Sequence, residues 1–159
     1  MSAIKENPLI TDLVSEKTSK LDSRLHFFGN CDELSCHIME IRSIIEDEEI
    51  REELLCIVKE LSIVMGEIAL GKTKLEISHL DKLNELIKKY EKNNGIILEF
   101  VLPGQNLISS KIHITRCVAR RTELTYAIVY NEYNTSKIIF EYLNKLSTFL
   151  YALALKFES

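Results

Sequence analysis

The amino-acid sequence predicts an all-α protein, an antiparallel bundle of four or five long helices. Three observations carry that expectation. Glycine (5) and proline (2) are scarce in the 159 residues, which argues against a barrel, a sandwich or a glycine-rich nucleotide fold. Apolar residues recur at helical spacing in successive segments. The links between these segments are short, as between antiparallel neighbours in a bundle. The length favours one domain with a core of its own.

Residues 1–18 are polar and weakly periodic and read as a flexible N-terminal arm, leaving 19–159 as the single helical domain. Asn30, with Glu33 as its capping-box partner, is the expected start of the first helix. Leu34, Ile38, Ile41 and Ile45 form its stripe, and the acidic cluster 46–49 marks the break to the next. Leu54, Leu55, Val58, Leu61, Met65 and Ile68 form the second stripe, which ends near Gly71. Ser78 and Asp81 begin a third helix that runs to Asn94, with Gly95 as its stop. An apolar connection over 96–108 holds the Pro103-Gly104 turn. A fourth helix spans about Ser109 to Tyr130. Asn134 or Thr135 caps the fifth, whose inner face is Ile139, Tyr142, Leu143, Leu146, Phe149, Leu150 and Leu153. No internal repeat or low-complexity tract is present.

The formal charge of -4 argues against non-specific nucleic-acid binding. No run of residues reaches the roughly 18 uninterrupted apolar positions of a membrane span, and the start, MSAIKENPLI, lacks the pattern of a signal peptide. Cys31, Cys36, Cys56 and Cys117 have neither metal-type nor disulfide-framework spacing, so buried, reduced thiols in a cytoplasmic protein are expected.

The segment 100–123, FVLPGQNLISSKIHITRCVARRTE, carries the chemistry. Arg116, Arg120 and Glu123 stand at i, i+4 and i+7 and share one helix face. Two arginines one turn apart repel each other, and a carboxylate or an anionic ligand between them relieves the repulsion. The plain alternative is a solvated charged face. His113 lies one turn before Arg116 on the same face.

With these residues in view, the chain resembles the PduO-type ATP:corrinoid adenosyltransferases over about residues 19–157. Three ordered blocks carry the resemblance: SKLDSRLHFFGNCDEL (19–34), FVLPG through RCVARRTE (100–123) and YLNKLSTFLYALA (142–154). The stretch LSIVMGEIA (61–69) is similar to the family's second helix. The resemblance implies a five-helix bundle that assembles as a homotrimer, with an active site between neighbouring subunits. It also implies transfer of the 5'-deoxyadenosyl group of ATP to the cobalt of a reduced corrinoid, cob(I)alamin, with Mg2+ present and triphosphate released. Arg120 then corresponds to an arginine on the ATP phosphates, and Arg116 to one paired with Asp32. Glu123 corresponds to a glutamate near ATP and Mg2+, Asn144 to an asparagine beside the nucleotide, and Lys20 to a lysine of the ATP site. Phe100 corresponds to the aromatic residue that helps displace the lower axial ligand of the corrinoid. A corrinoid reductase or an adenosylcobalamin-dependent enzyme is the implied protein partner. Neither a nucleic acid nor a membrane is implied.

The sequence departs from that family in one respect. A segment of the form Thr-Gly-Asp-x-Gly-x-Thr is expected upstream of residue 19, but ENPLITDLVSEKT stands there, with no glycine before Gly29. Glycines let a backbone approach phosphates and aim its N–H groups at them. The matched arginines, glutamate and asparagine favour an enzyme. The missing segment favours a catalytically silent corrinoid-binding or scaffold relative.

Two further signals lead elsewhere. GEIALGKT (66–73) satisfies the P-loop pattern, but a helical stripe precedes it where a strand is required. His26, Cys31, Cys36 and His37 do not have zinc-ribbon or zinc-finger spacing.

Overall fold

A computed structural model describes residues 4, 6–94 and 102–158. Its elements are a hairpin, β1 (Ile10–Leu13) and β2 (Glu16–Ser19), followed by α1 (Ser23–Ile44), α2 (Glu48–Leu70), α3 (Ile77–Asn94), α4 (Leu107–Tyr133) and α5 (Lys137–Lys156). Helix α4 packs against both α1 and α5, while α3 packs on α5 and α2 on α1. The expected helical bundle is present, and one continuous core runs through it. Phe27, Leu34, Ile38 and Ile41 of α1 meet Leu54, Ile57, Leu61 and Val64 of α2 there, with Leu83, Ile87 and Tyr90 of α3. The whole expected inner face of α5 is buried. By length and composition α5 could cross a membrane, yet half of its most apolar window (50%) is buried inside the bundle. Amphipathic core helices of globular proteins have this character.

The first helix differs from the expectation at its start. It begins at Ser23, capped by Asp22, whose side chain accepts the Arg24 backbone N–H. Asn30 is inside the helix, so it cannot serve as the cap. Its Nδ2 donates to Thr125 Oγ1 at 2.9 Å and its Oδ1 accepts from Arg121 Nε at 2.9 Å, which ties α1 to α4. At the other correction, Asn134 is the left-handed C-cap of α4 (φ 50), and Ser136 caps α5. Asp47 caps α2 within the predicted acidic break, and Gly71 ends that helix at φ 65. Helix α2 passes straight through Gly66, so the stretch 66–73 has helix where a P-loop has strand and cradle. Only Cys31 of the four free cysteines is buried; Cys36 and Cys117 are exposed and Cys56 is half-buried. Burial pushes the Cys31 thiol up to about 12. Gly95, the expected stop of α3, lies outside the described residues.

Residues 10–19, read from the sequence as part of a polar arm, form an antiparallel hairpin with Leu13 opposite Glu16. Val14 takes φ 53 in its turn, a conformation that β-branched residues seldom adopt. The hairpin is fastened to the bundle through Asp22. Thr18 Oγ1 and Tyr133 Oη donate to Asp22 Oδ2 at 2.7 and 3.0 Å. Arg24 Nη2 bridges Asp22 at 2.7 Å and Glu16 at 3.1 Å, and its guanidinium lies 4.5 Å from the Tyr133 ring centroid. The hairpin is therefore held at the C-terminal end of α4.

Candidate functional site

The antiparallel pairing of α4 and α5 decides what faces what. Arg116, Arg120 and Glu123 form one ladder on α4. Asn144, Ser147, Thr148 and Tyr151 form the opposing ladder on α5, and Leu124 completes the wall. Together they line a groove of about 460 Å³. Glu123 stands opposite Asn144, whose Nδ2 donates to Glu123 Oε1 at 3.1 Å. At the other end the Arg116 guanidinium lies 5.7 Å from the Tyr151 ring centroid, a cation–π distance.

The electrostatics of the groove are one-sided. Among the described residues, neither Arg116 nor Arg120 forms an ion pair, while Arg121, one position on, is paired with Glu33 on α1. The Arg116 Nε is buried without a hydrogen-bond partner. Two guanidinium groups without carboxylate partners, one turn apart, make a site for an anion with several oxygens. The single carboxylate of the groove, Glu123, lies at its far end beside an amide. Oxygen donors there, together with the oxygens of a polyphosphate, suit a hard divalent cation such as Mg2+.

Four of the sequence-selected residues thus meet in one place: Arg116, Arg120, Glu123 and Asn144. Two others do not join them within one chain. Asp32 is exposed on α1, which packs on the opposite flank of α4 from α5, so Arg116 and Asp32 are not paired here. Lys20 is exposed beside the hairpin, and its backbone N–H donates to Leu9 O at 2.6 Å. Arg116 and Tyr133 are separated by roughly 25 Å of helix, which places Lys20 at the remote end. Phe100 lies outside the described residues. His113 does not line the groove: it is buried behind Tyr151 and bonded to Glu158 at 2.8 Å.

Ser147, Thr148 and Tyr151 were not singled out from the sequence. They follow Asn144 at i+3, i+4 and i+7, so a helical projection from Asn144 would have found them.

Fold and groove together define a helical-bundle protein with a cationic groove between two antiparallel helices. Residues 10–157 match the model of the cobalamin adenosyltransferase family, and the chain belongs to that family. It is 29% identical over 145 residues to a corrinoid adenosyltransferase of Citrobacter freundii, covering 87% of this chain and 82% of that one. It is likewise 29% identical over 152 residues to a corrinoid adenosyltransferase of Bacillus subtilis (strain 168), covering 91% and 79%. Among solved structures, a variant PduO-type ATP:corrinoid adenosyltransferase from Lactobacillus reuteri complexed with cobalamin and ATP shares the fold. Its TM-score is 0.86 at 22% identity, over 94% of this chain and 86% of that chain.

Proposed function

We propose that this protein transfers the 5'-deoxyadenosyl group of ATP to the cobalt of a reduced corrinoid, with the α4/α5 groove holding the triphosphate. The observation that carries this reading is the pair of guanidinium groups, Arg116 and Arg120, that have no carboxylate partner among the described residues. In the reaction the cobalt(I) of the corrinoid substrate attacks C5' of the ribose. Its electron pair forms the Co–C bond, the C5'–O bond breaks, and triphosphate departs with the electrons of that bond. Negative charge grows on the leaving oxygen. Arg120, on the groove wall, meets that charge, and a cation at such a place stabilises the transition state. Arg116, packed on Tyr151, stands one turn away at the other end of the groove. Glu123 and Asn144 would hold Mg2+ against the phosphate oxygens, where the cation supplies further charge neutralisation. Asn144 keeps the Glu123 carboxylate turned into the groove.

The remaining sequence-selected residues belong to an assembled site. In a homotrimer, Asp32 and the Lys20 region of one subunit reach the groove of the next, and Arg116 then pairs with Asp32 of the partner subunit. Support comes from the outer face of α4, where Ile114 (53% exposed), Leu124 (69%) and Ile128 (53%) offer an apolar stripe to a neighbour. Phe100 serves at the corrinoid side, where an apolar wall favours cobalt without its lower ligand.

Thermal unfolding with different ligands tests the groove assignment. ATP and tripolyphosphate, each with Mg2+, are expected to raise the melting temperature, because binding to the native state stabilises by mass action; at 100 times Kd the gain is about 2.7 kcal/mol. AMP at the same concentration is expected to give a much smaller shift. Equal shifts with AMP and ATP would show that the phosphate chain is not what the groove recognises.

A further inference from the structure

Threonine hydroxyls inside a helix commonly turn back and donate to the carbonyl one turn earlier. Thr115, Thr122 and Thr125 of α4 all do so. Their Oγ1 atoms donate to the carbonyls of Lys111, Val118 and Arg121, each at 2.8 Å. Thr148 of α5 departs from this pattern. The carbonyl one turn before it, Asn144 O, accepts from Ser147 Oγ at 2.8 Å. Thr148 Oγ1 has no hydrogen-bond partner among the described residues. The side chain is half-buried, and it stands in the wall of the α4/α5 groove.

The register of the two helices shows what Thr148 faces. Glu123 meets Asn144, and Arg116 meets Tyr151. The same span of helix separates the two contacts on α4 and on α5. Arg120 lies between Arg116 and Glu123, just as Ser147 and Thr148 lie between Asn144 and Tyr151. Arg120 and Thr148 therefore address one space from opposite walls. Among the described residues the guanidinium of Arg120 forms no ion pair, and the hydroxyl of Thr148 is uncommitted. Ser147 offers no second free donor, because its hydroxyl is bonded to its own helix. Arg116 takes no part in this arrangement.

We propose that Thr148 is a phosphate-contacting residue, its hydroxyl donating to an oxygen of the triphosphate that Arg120 holds. The proposal rests on the triphosphate reading of the groove given above. A phosphate group carries several acceptor oxygens pointing in different directions, so one wall of the groove cannot serve them all. Arg120 supplies charge from α4, and Thr148 supplies a directed O–H from α5. A hydroxyl that donates to an anionic oxygen makes a shorter and stronger bond than one between neutral groups. Removing it leaves the phosphate short of a donor while the fold loses no bond.

The test measures the affinity of Thr148→Val and Thr148→Ser for ATP and for tripolyphosphate, each with Mg2+, alongside wild type and Arg120→Ala. Valine keeps the shape of threonine and lacks the hydroxyl. Thr148→Val is expected to bind both ligands about tenfold more weakly, the scale of one hydrogen bond to a charged group. Its melting temperature without ligand and its KM for the corrinoid are expected to match wild type. Thr148→Ser restores the hydroxyl and is expected to restore most of the affinity. If Thr148→Val does not fold, Thr148→Ala supplies the measurement. Wild-type affinity in a folded variant without the hydroxyl overturns the proposal, and so does a loss that Thr148→Ser fails to rescue. A loss for ATP with none for tripolyphosphate also overturns it, since the hydroxyl would then meet the nucleoside. In each of these cases a weakened Arg120→Ala leaves the groove reading standing. Wild-type protein that binds neither ligand would overturn the groove reading itself, and this proposal with it.

Discussion

Arg120→Ala is expected to lower the rate of adenosyl transfer by about 10²-fold or more while leaving the fold intact. The two halves of that expectation come from separate observations. Arg120 is exposed on α4 and has no ion-pair or hydrogen-bond partner among the described residues, so its removal costs little stability, within about 0.5 kcal/mol for a site of this kind. Its position in the groove is different in consequence. On the proposed function the guanidinium meets the charge that the leaving triphosphate gains, and one donor at such a place contributes roughly 3–4 kcal/mol to the transition state. Arg120→Lys keeps the charge but loses the planar fork that grips two oxygens at once, and should fall between the two. Single-turnover rates with MgATP and reduced cobalamin, together with melting curves, separate these effects. A rate for Arg120→Ala equal to wild type would remove Arg120 from the reaction.

Asp22→Ala is expected to give the largest loss of stability among the polar substitutions, about 2–3 kcal/mol, from a lost helix cap and lost charge-assisted hydrogen bonds. Asp22 caps α1, and its side chain is only 5% exposed. It also accepts from Thr18 of the hairpin and from Tyr133 of α4. The hydrogen bond from Arg24, with smaller help from Thr18 and Tyr133, holds the Asp22 carboxyl well below the usual range against the effect of burial. A carboxyl whose folded value is depressed stabilises the protein above its unfolded value of about 3.9 and ceases to do so as pH falls through the folded one. Wild type should therefore lose this contribution progressively as pH drops below about 4. Asp22→Asn preserves the cap but not the charge, so its melting temperature should change less across that range. Denaturant unfolding at pH 7 and pH 3 measures both effects. An Asp22→Ala protein as stable as wild type at pH 7 would mean that the hairpin is not fastened through this residue.

The helices were legible because their apolar positions repeat with one period, and Leu146, Phe149, Leu150 and Leu153 illustrate how plainly. The α4 ladder of Arg116, Arg120 and Glu123 was legible for the same reason, since a single helix decides which of its own residues share a face. The α5 ladder was only partly legible. Asn144 stood out, whereas Ser147, Thr148 and Tyr151 lie beside an apolar stripe and show a role only once α4 is laid against them. The start of α1 was missed because Asn30 and Glu33 imitate a capping box, while the true cap, Asp22, precedes a mixed segment. The hairpin was missed because its turn is Val14-Ser15, where Asn-Gly or Gly-x is the usual signal. The His113–Glu158 contact joins residues far apart in the chain, and neither end announces the other. Local periodicity is written in the sequence; pairings between elements depend on packing.

The most direct test of the account is anaerobic incubation of the pure protein with chemically reduced cobalamin and MgATP, following the absorbance change as the Co–C bond forms. The account predicts turnover that requires protein and ATP, yields triphosphate in equal amount to adenosylcobalamin, and is about 10²-fold or more slower in Arg120→Ala. Cobalamin binding without any ATP-dependent Co–C bond formation would contradict it and leave a corrinoid-binding relative that has given up the reaction.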